Sequence, residues 1–151
     1  MKIIAKNKTK FDCGIVAAHN AASWCNVHKK YSEIEKIAKS CGYNPKKGMY
    51  PFQFDNLLKK LKVPVKKIKL KSLRQLKNKL YLGKLFIFLY KPNKESNGHI
   101  IAVFLNHHGK IQIVNPDIER LTWIDFIEDI SNNGMVEFIS YEIPQRKLVK
   151  K

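Results

Sequence analysis

The pattern of apolar and polar positions changes from helical to strand-like spacing about halfway along the chain. The stretch "IVAAHNAASW" is apolar and rich in alanine, which predicts a first helix from Cys13 to about Lys29. The stretch "YSEIEKIAKSCG" predicts a second helix, with Ser32 as N-cap, Glu35 completing a capping box and Gly42 at its end. The first forty residues therefore predict two consecutive helices.

A third helix and an exposed strand are predicted next. A loop pinned by Pro51 precedes four apolar residues at helical spacing, Phe54, Leu57, Leu58 and Leu61. The stretch "VPVKKIKL" alternates apolar residues with lysines, as a strand exposed on one face does. The stretch "SLRQLKNKLYLG" then predicts a short helix that begins after Ser72 and stops at Gly83.

The second half of the chain predicts a sheet. "KLFIFLY", "GHIIAVFLN" and "GKIQIVNP" are apolar runs separated by "KPNKESN" and "HHG", so they predict an antiparallel meander. "TWIDFIEDI" predicts a helix capped by Thr122, and "VEFISYEI" predicts a last strand. Helices followed by strands indicate an α+β fold, with N-terminal helices packed on a C-terminal antiparallel sheet.

Length and composition indicate one globular domain. The chain has 151 residues, of which 44% are apolar, enough for a sizeable core. We expect a single domain over 1–151, with a basic tail at about 145–151. No run reaches the roughly 18 apolar residues of a membrane span, and "MKIIAKNKTK" is too short and charged for a signal peptide. These features predict a cytoplasmic protein, or one packaged in a virus particle.

The net charge of +17 indicates attraction to polyanions or acidic surfaces. Lysines crowd residues 46–84, where Asp55 is the one acidic residue. This region is a candidate surface for an acidic protein or for nucleic acid. Lysines also make a well-solvated surface with no partner, and the charge alone does not distinguish these alternatives.

Three cysteines without metal-ligand spacing indicate free thiols rather than disulfides, a metal site or a cofactor site. Cys13 differs from the other two because it lies at the head of a helix, where the helix dipole favours the thiolate. A nucleophilic thiol also needs a base, a group that orients the base, and donors for the oxyanion. Without those partners, Cys13 is an ordinary helix residue.

His99 is the candidate base, because it opens the apolar strand "IIAVFL". Asn115 ends the next predicted strand, so antiparallel pairing brings it to the same end of the sheet, where its amide can orient the imidazole. Asp117 is an alternative in that role. The backbone N–H of Cys13 and the side chain of Asn7, six residues earlier, are the candidate oxyanion donors.

Taken in order, "N-x-x-x-x-D-C-G", "GHIIAVF" and "IVNP" resemble the papain-fold cysteine peptidases, most closely the bacteriocin-processing peptidases that remove double-glycine leaders. The resemblance covers about residues 5 to 120. It implies a papain-like fold, with Cys13 as nucleophile, His99 as base and Asn115 as orienting residue. The family usually has Gln where this chain has Asn7, and Asp where it has Asn115.

The resemblance implies a cysteine peptidase that cleaves a polypeptide, for example after Gly-Gly in a leader or precursor. One alternative is an inactive papain-like fold that acts as a basic binding or structural module for nucleic acid or a virus particle. Another is acyl transfer or deamidation by the same thiol. Thiol-dependent modification without chain cleavage would indicate the latter.

Overall fold

A computed structural model of the protein describes residues 8–9, 11–69, 85–91, 99–105, 111–114 and 137–144. Within them lie three helices, α1 (Cys13–Trp24), α2 (Tyr31–Ser40) and α3 (Pro51–Lys60). The strands are β1 (Lys66–Lys69), β2 (Leu85–Lys91), β3 (His99–Leu105), β4 (Ile111–Val114) and β5 (Glu137–Ile143). Helices followed by a sheet confirm the predicted α+β class. The helices predicted after Ser72 and Thr122, and the basic tail, lie outside the described residues.

Helix α1 is shorter than predicted. It ends at Trp24 rather than near Lys29, because Asn26 adopts a left-handed backbone with φ of 60°. Asparagine tolerates this conformation better than most residues, and it stops a helix much as glycine does. The N–H of Val27 then bonds back to the carbonyl of Ala22 at 2.8 Å.

The predicted cap of α2 is also wrong. The helix begins at Tyr31, with Lys30 in the N-cap position and no side-chain capping bond, so that Ser32 lies inside the first turn. Glu35 belongs to no capping box and instead pairs with Lys39 at 3.7 Å on the exposed face. The predicted stop is confirmed, because Gly42 follows the helix with φ of 104°.

The sheet is antiparallel, with the strand order β1-β5-β2-β3-β4. The predicted meander β2-β3-β4 is confirmed. The last strand, β5, lies between β1 and β2, a long-range pairing that the local pattern did not predict. Between β3 and β4, Ala102 pairs with Val114 and Leu105 with Ile111. The beginning of β3 and the end of β4 therefore lie at the same end of the sheet.

The helices cover the sheet and share one core with it. Residues buried in this core come from all three helices and from β2, β3 and β5, among them Ile15, Ile34, Leu57, Ile87 and Ala102. Trp24 covers one end of this core. Its ring centroid lies 5.5 Å from that of Phe104, and its indole N–H donates to the carbonyl of Pro144 at 3.0 Å. Helix α1 lies against β3, and this contact positions the candidate site.

A hydrogen-bonded cluster ties α3 to the sheet. The hydroxyl of Tyr141 in β5 donates to Asp55 of α3 at 2.5 Å, and Lys67 of β1 pairs with the same carboxylate at 3.1 Å. The ring of Tyr141 also packs edge-on against Phe54, with 5.3 Å between ring centroids. Asp55, the isolated acid of the lysine-rich region, thus joins elements that are distant in sequence.

Candidate active site

Cys13 is the first residue of α1, as predicted, and the residue as a whole is half-buried. The apolar run after it explains this placement. From Ile15 to Ala18 the helix is almost completely buried, so α1 passes through the core and presents only its N-terminal end at the site. Gly14 lies next to Cys13 in a tight contact, where an added Cβ would lie 3.3 Å from Met49 Sδ and 3.4 Å from Ile100 Cδ1.

The thiol of Cys13 lies against the beginning of β3. The backbone N–H of Ile100 hydrogen-bonds to it, and the amides of Gly14 and Cys13 itself also act on it. Ile100 is the second residue of β3, and His99 is the first. The fold therefore brings the backbone of His99 beside Cys13, although the two residues are far apart in sequence.

Burial raises the pKa of the Cys13 thiol above its ordinary value, and burial is the largest of the contributions. The backbone amides of Ile100, Gly14 and Cys13 lower this pKa, whereas the Asp12 carboxylate raises it. Because the net shift is upward, these groups by themselves favour the neutral thiol. A thiolate at this position needs a nearby cation such as an imidazolium.

The other predicted site residues are only partly placed. The backbone of His99 pairs with Tyr90 of β2, while its side chain lies outside the described part of the structure. Asn7, Asn115 and Asp117 also lie outside the described residues. The register of β3 and β4 is nevertheless the one that the prediction for Asn115 requires, because β4 ends on the side of the sheet where β3 begins. The assembled triad stays a prediction.

Two residues near Cys13 were not singled out from the sequence. The side chain of Asp12 is fully buried, and its Oδ2 accepts hydrogen bonds from the backbone N–H of Lys8 at 3.0 Å and the hydroxyl of Tyr31 at 2.5 Å. Lys8 also places its ammonium 4.6 Å from the centroid of the Tyr31 ring. The position of Asp12 before Cys13 was a signal in the sequence, but nothing local indicated Tyr31, which begins the next helix.

An exposed aromatic pair lies close to the same loops. The rings of Tyr50 and Phe52 stack with centroids 6.0 Å apart, and the two residues are 66% and 63% exposed. Their neighbour Met49 is the residue that packs at Gly14, so the pair is connected to the site through one side chain. Lysines precede the pair in sequence, end α3 and follow it, and those described from residue 46 to residue 67 are all exposed: Lys46, Lys47, Lys59, Lys60, Lys62, Lys66 and Lys67.

Within the described residues, no group of three or more His, Cys, Asp or Glu side chains is arranged to hold a metal ion. Cys25 and Cys41 are free thiols there, as is Cys13. None of the helices in that part of the chain is both long enough and apolar enough to span a bilayer.

The chain matches no protein-family model and no curated protein. Among solved structures it matches the peptidase domain of Streptococcus ComA, a bi-functional ABC transporter involved in a quorum-sensing pathway. The TM-score is 0.64 at 16% sequence identity, and the match covers 96% of this chain and 100% of that domain. The fold is therefore papain-like, as the sequence resemblance implied, while a fold alone does not assign an activity.

Proposed function

We propose that the protein is a cysteine peptidase with Cys13 as its nucleophile. The observation that carries the proposal is the packing of the α1 N-terminus against the beginning of β3, where Ile100 contacts Gly14 and its amide acts on the Cys13 thiol, one residue from His99. A thiol at a helix N-terminus next to a histidine is the arrangement that nucleophilic acyl transfer requires. The papain-like fold, shared with a known peptidase domain, supports the same assignment.

In the proposed reaction, His99 takes the proton of Cys13 and remains beside it as imidazolium. The thiolate attacks the peptide carbonyl, and the Cys13 amide and the Asn7 side chain stabilise the oxyanion. His99 then protonates the leaving amine, and water hydrolyses the thioester to release the acid and restore the thiol. Asn115 holds the imidazole in the correct tautomer, with Asp117 as the alternative.

The environment of the thiol makes the ion pair with His99 necessary. Burial raises the pKa of Cys13, so few thiolates form unless a positive charge compensates. An imidazolium in contact with the sulfur supplies this charge and holds the proton needed by the leaving amine. The proposal therefore requires the reactivity of Cys13 to depend strongly on His99.

The proposed substrate is a polypeptide with small residues before the cleaved bond, such as Gly-Gly. The aromatic pair Tyr50 and Phe52 offers an apolar surface to which this polypeptide can bind. The pair is connected to the site through Met49. The exposed lysines around α3 offer complementary charge to acidic residues of a leader. Aromatic side chains and opposite charge together favour an amphipathic acidic segment.

Cleavage of peptides that carry an acidic amphipathic segment followed by Gly-Gly tests the proposal, with mass spectrometry of the products. We expect cleavage after the glycines by the wild-type protein and none by Cys13→Ala. The conservative variant Asn7→Gln, which lengthens the proposed oxyanion donor by one methylene, is expected to cleave faster. Cleavage that persists in Cys13→Ala, or a wild-type protein that modifies the peptide without cutting it, would contradict the proposal.

A second candidate function is binding by the lysine-rich surface without catalysis. It is favoured by the raised pKa of the Cys13 thiol and by the run of exposed lysines around α3. The partner would be nucleic acid or an acidic assembly. Binding that weakens steeply with salt and is unaffected by Cys13→Ala, together with no peptide cleavage, would support this function instead.

A further inference from the structure

The carboxylate of Asp12 does not cap α1, although its position before the helix predicts that it would. Asp12 is the N-cap residue of α1, where an aspartate ordinarily accepts the N–H of the second or third helical residue. Here its side chain makes no capping bond. Its Oδ2 instead accepts from the Lys8 amide and the Tyr31 hydroxyl, so the carboxylate turns away from the helix that it precedes.

The second carboxylate oxygen of Asp12, Oδ1, shows that this orientation is energetically unfavourable for part of the side chain. Oδ1 is buried and has no hydrogen-bond partner among the residues that the structure describes, and Asp12 as a whole is 0% exposed. A buried carboxylate oxygen without a donor is unfavourable, and rotation toward the first turn of α1 would supply one. The bonds from Tyr31 and Lys8 therefore outweigh the capping bond that the carboxylate would otherwise make.

The orientation of the Asp12 carboxylate affects which backbone amides are available to the thiol of Cys13. The amides of Cys13 and Gly14 act on the thiol, and a capping carboxylate would compete for the amide of Gly14. We propose that Asp12 and Tyr31 are positioning residues, whose hydrogen bond keeps the carboxylate off the α1 N-terminus and leaves these amides to the thiolate and the oxyanion. The oxyanion part rests on the proposed peptidase function. We call Asp12 and Tyr31, with the bond between them, the clamp. The Asp12 carboxylate of the clamp also accepts from the amide of Lys8, which follows Asn7 in the sequence.

The charged and titratable groups around this clamp come from its own loop, from α1, from α2 and from the segment after α2. They are Lys8, Asp12, Cys13, Tyr31, Glu35 and Tyr43. Among them, the Asp12 carboxylate already raises the pKa of the Cys13 thiol. A carboxylate released onto the α1 N-terminus would remove a donor from the thiolate, so the thiol pKa would rise further.

The test is the rate of Cys13 alkylation against pH, measured on the Cys13 peptide by mass spectrometry, in wild type and Tyr31→Phe. Tyr31→Phe removes only the hydroxyl that holds Asp12. We expect its alkylation at pH 7 to be slower by roughly threefold to tenfold, with the pH profile displaced upward. The matched control is Tyr141→Phe, which removes a phenol–carboxylate bond of equal length far from Cys13 in the sequence and is expected to leave the profile unchanged.

Asp12→Asn is a second variant, for which the opposite change in alkylation rate is expected. It removes the carboxylate charge and keeps an oxygen that accepts from Tyr31. We expect faster alkylation at pH 7 in this variant, which also serves if Tyr31→Phe does not fold. Tyr31→Phe with the wild-type profile, or Asp12→Asn with slower or unchanged alkylation, would overturn the clamp. Wild-type alkylation that is indifferent to His99→Ala would instead overturn the peptidase, so the two failures are distinguishable.

Discussion

Replacing Tyr141 with phenylalanine tests how the structure holds α3 against the sheet. Tyr141 is 1% exposed, and its hydroxyl donates to Asp55 at 2.5 Å. Hydrogen bonds to charged groups contribute roughly 1.5–3 kcal/mol to stability. The Asp55 side chain is 32% exposed and keeps its ion pair with Lys67, so water can replace part of the lost bond. We therefore expect Tyr141→Phe to lower the free energy of unfolding by about 1–2 kcal/mol near pH 8.

The same bond predicts how this difference changes with pH. Burial, the hydrogen bond to Asp55 and the charge of Asp55 raise the pKa of Tyr141 above its ordinary value of 10.0. The stabilisation is complete below the unfolded-state pKa and is lost as pH rises toward the folded-state pKa, because the unfolded phenol ionises first. The loss reaches at most about 1.4 kcal/mol per pH unit above pH 10.

Urea denaturation of the wild type and Tyr141→Phe at pH 8, 9, 10 and 11 measures both effects. The stability advantage of the wild type is expected to be largely gone by about pH 11, because the variant has no phenol at this position to ionise. Tyr31 is present in both proteins, so its contribution cancels. An advantage that stays constant from pH 8 to pH 11, or that grows, would refute the reasoning.

Three further variants, two single and one double, test the core, a turn and the surface. Phe54→Ala should lower the free energy of unfolding by about 3–5 kcal/mol in urea denaturation, since the ring is 0% exposed and its removal leaves a cavity. Gly42→Ala should lower the melting temperature clearly, because its φ is 104° and the new methyl would lie 2.3 Å from the Gln53 side chain. Tyr50→Ala with Phe52→Ala should change the free energy of unfolding by less than about 0.5 kcal/mol and raise the KM for the leader-bearing peptide; an unchanged KM would exclude these rings from substrate binding.

Local features of the chain were predictable from the sequence. The apolar run after Cys13 reflects burial of most of α1 in the core, and the spacing of Leu57 and Leu58 reflects burial of one face of α3. The β3–β4 pairing was predictable because those strands are neighbours in sequence. Asn26 was a usable signal for the end of α1, since asparagine readily adopts a left-handed backbone.

Long-range contacts could not be predicted in the same way. Strand β5 inserts between β1 and β2, and Tyr141 bonds to Asp55. In both cases, no local sequence pattern in one segment indicates which distant segment it contacts. The bond from Tyr31 to Asp12 likewise joins two segments that are separated in sequence. For the candidate site, the sequence indicated Cys13 and its neighbouring strand, but the burial that raises the thiol pKa depends on the whole fold.

The pH dependence of Cys13 alkylation in wild type and in His99→Ala tests the central claim most directly. His28→Ala is the control, because His28 is an exposed histidine beyond the end of α1. We predict a reactive thiolate in the wild type well below the free-thiol pKa of about 8.5, retained in His28→Ala and lost in His99→Ala. A wild-type thiol that reacts only above that pKa, with the same profile in all three proteins, would contradict a Cys13–His99 nucleophile.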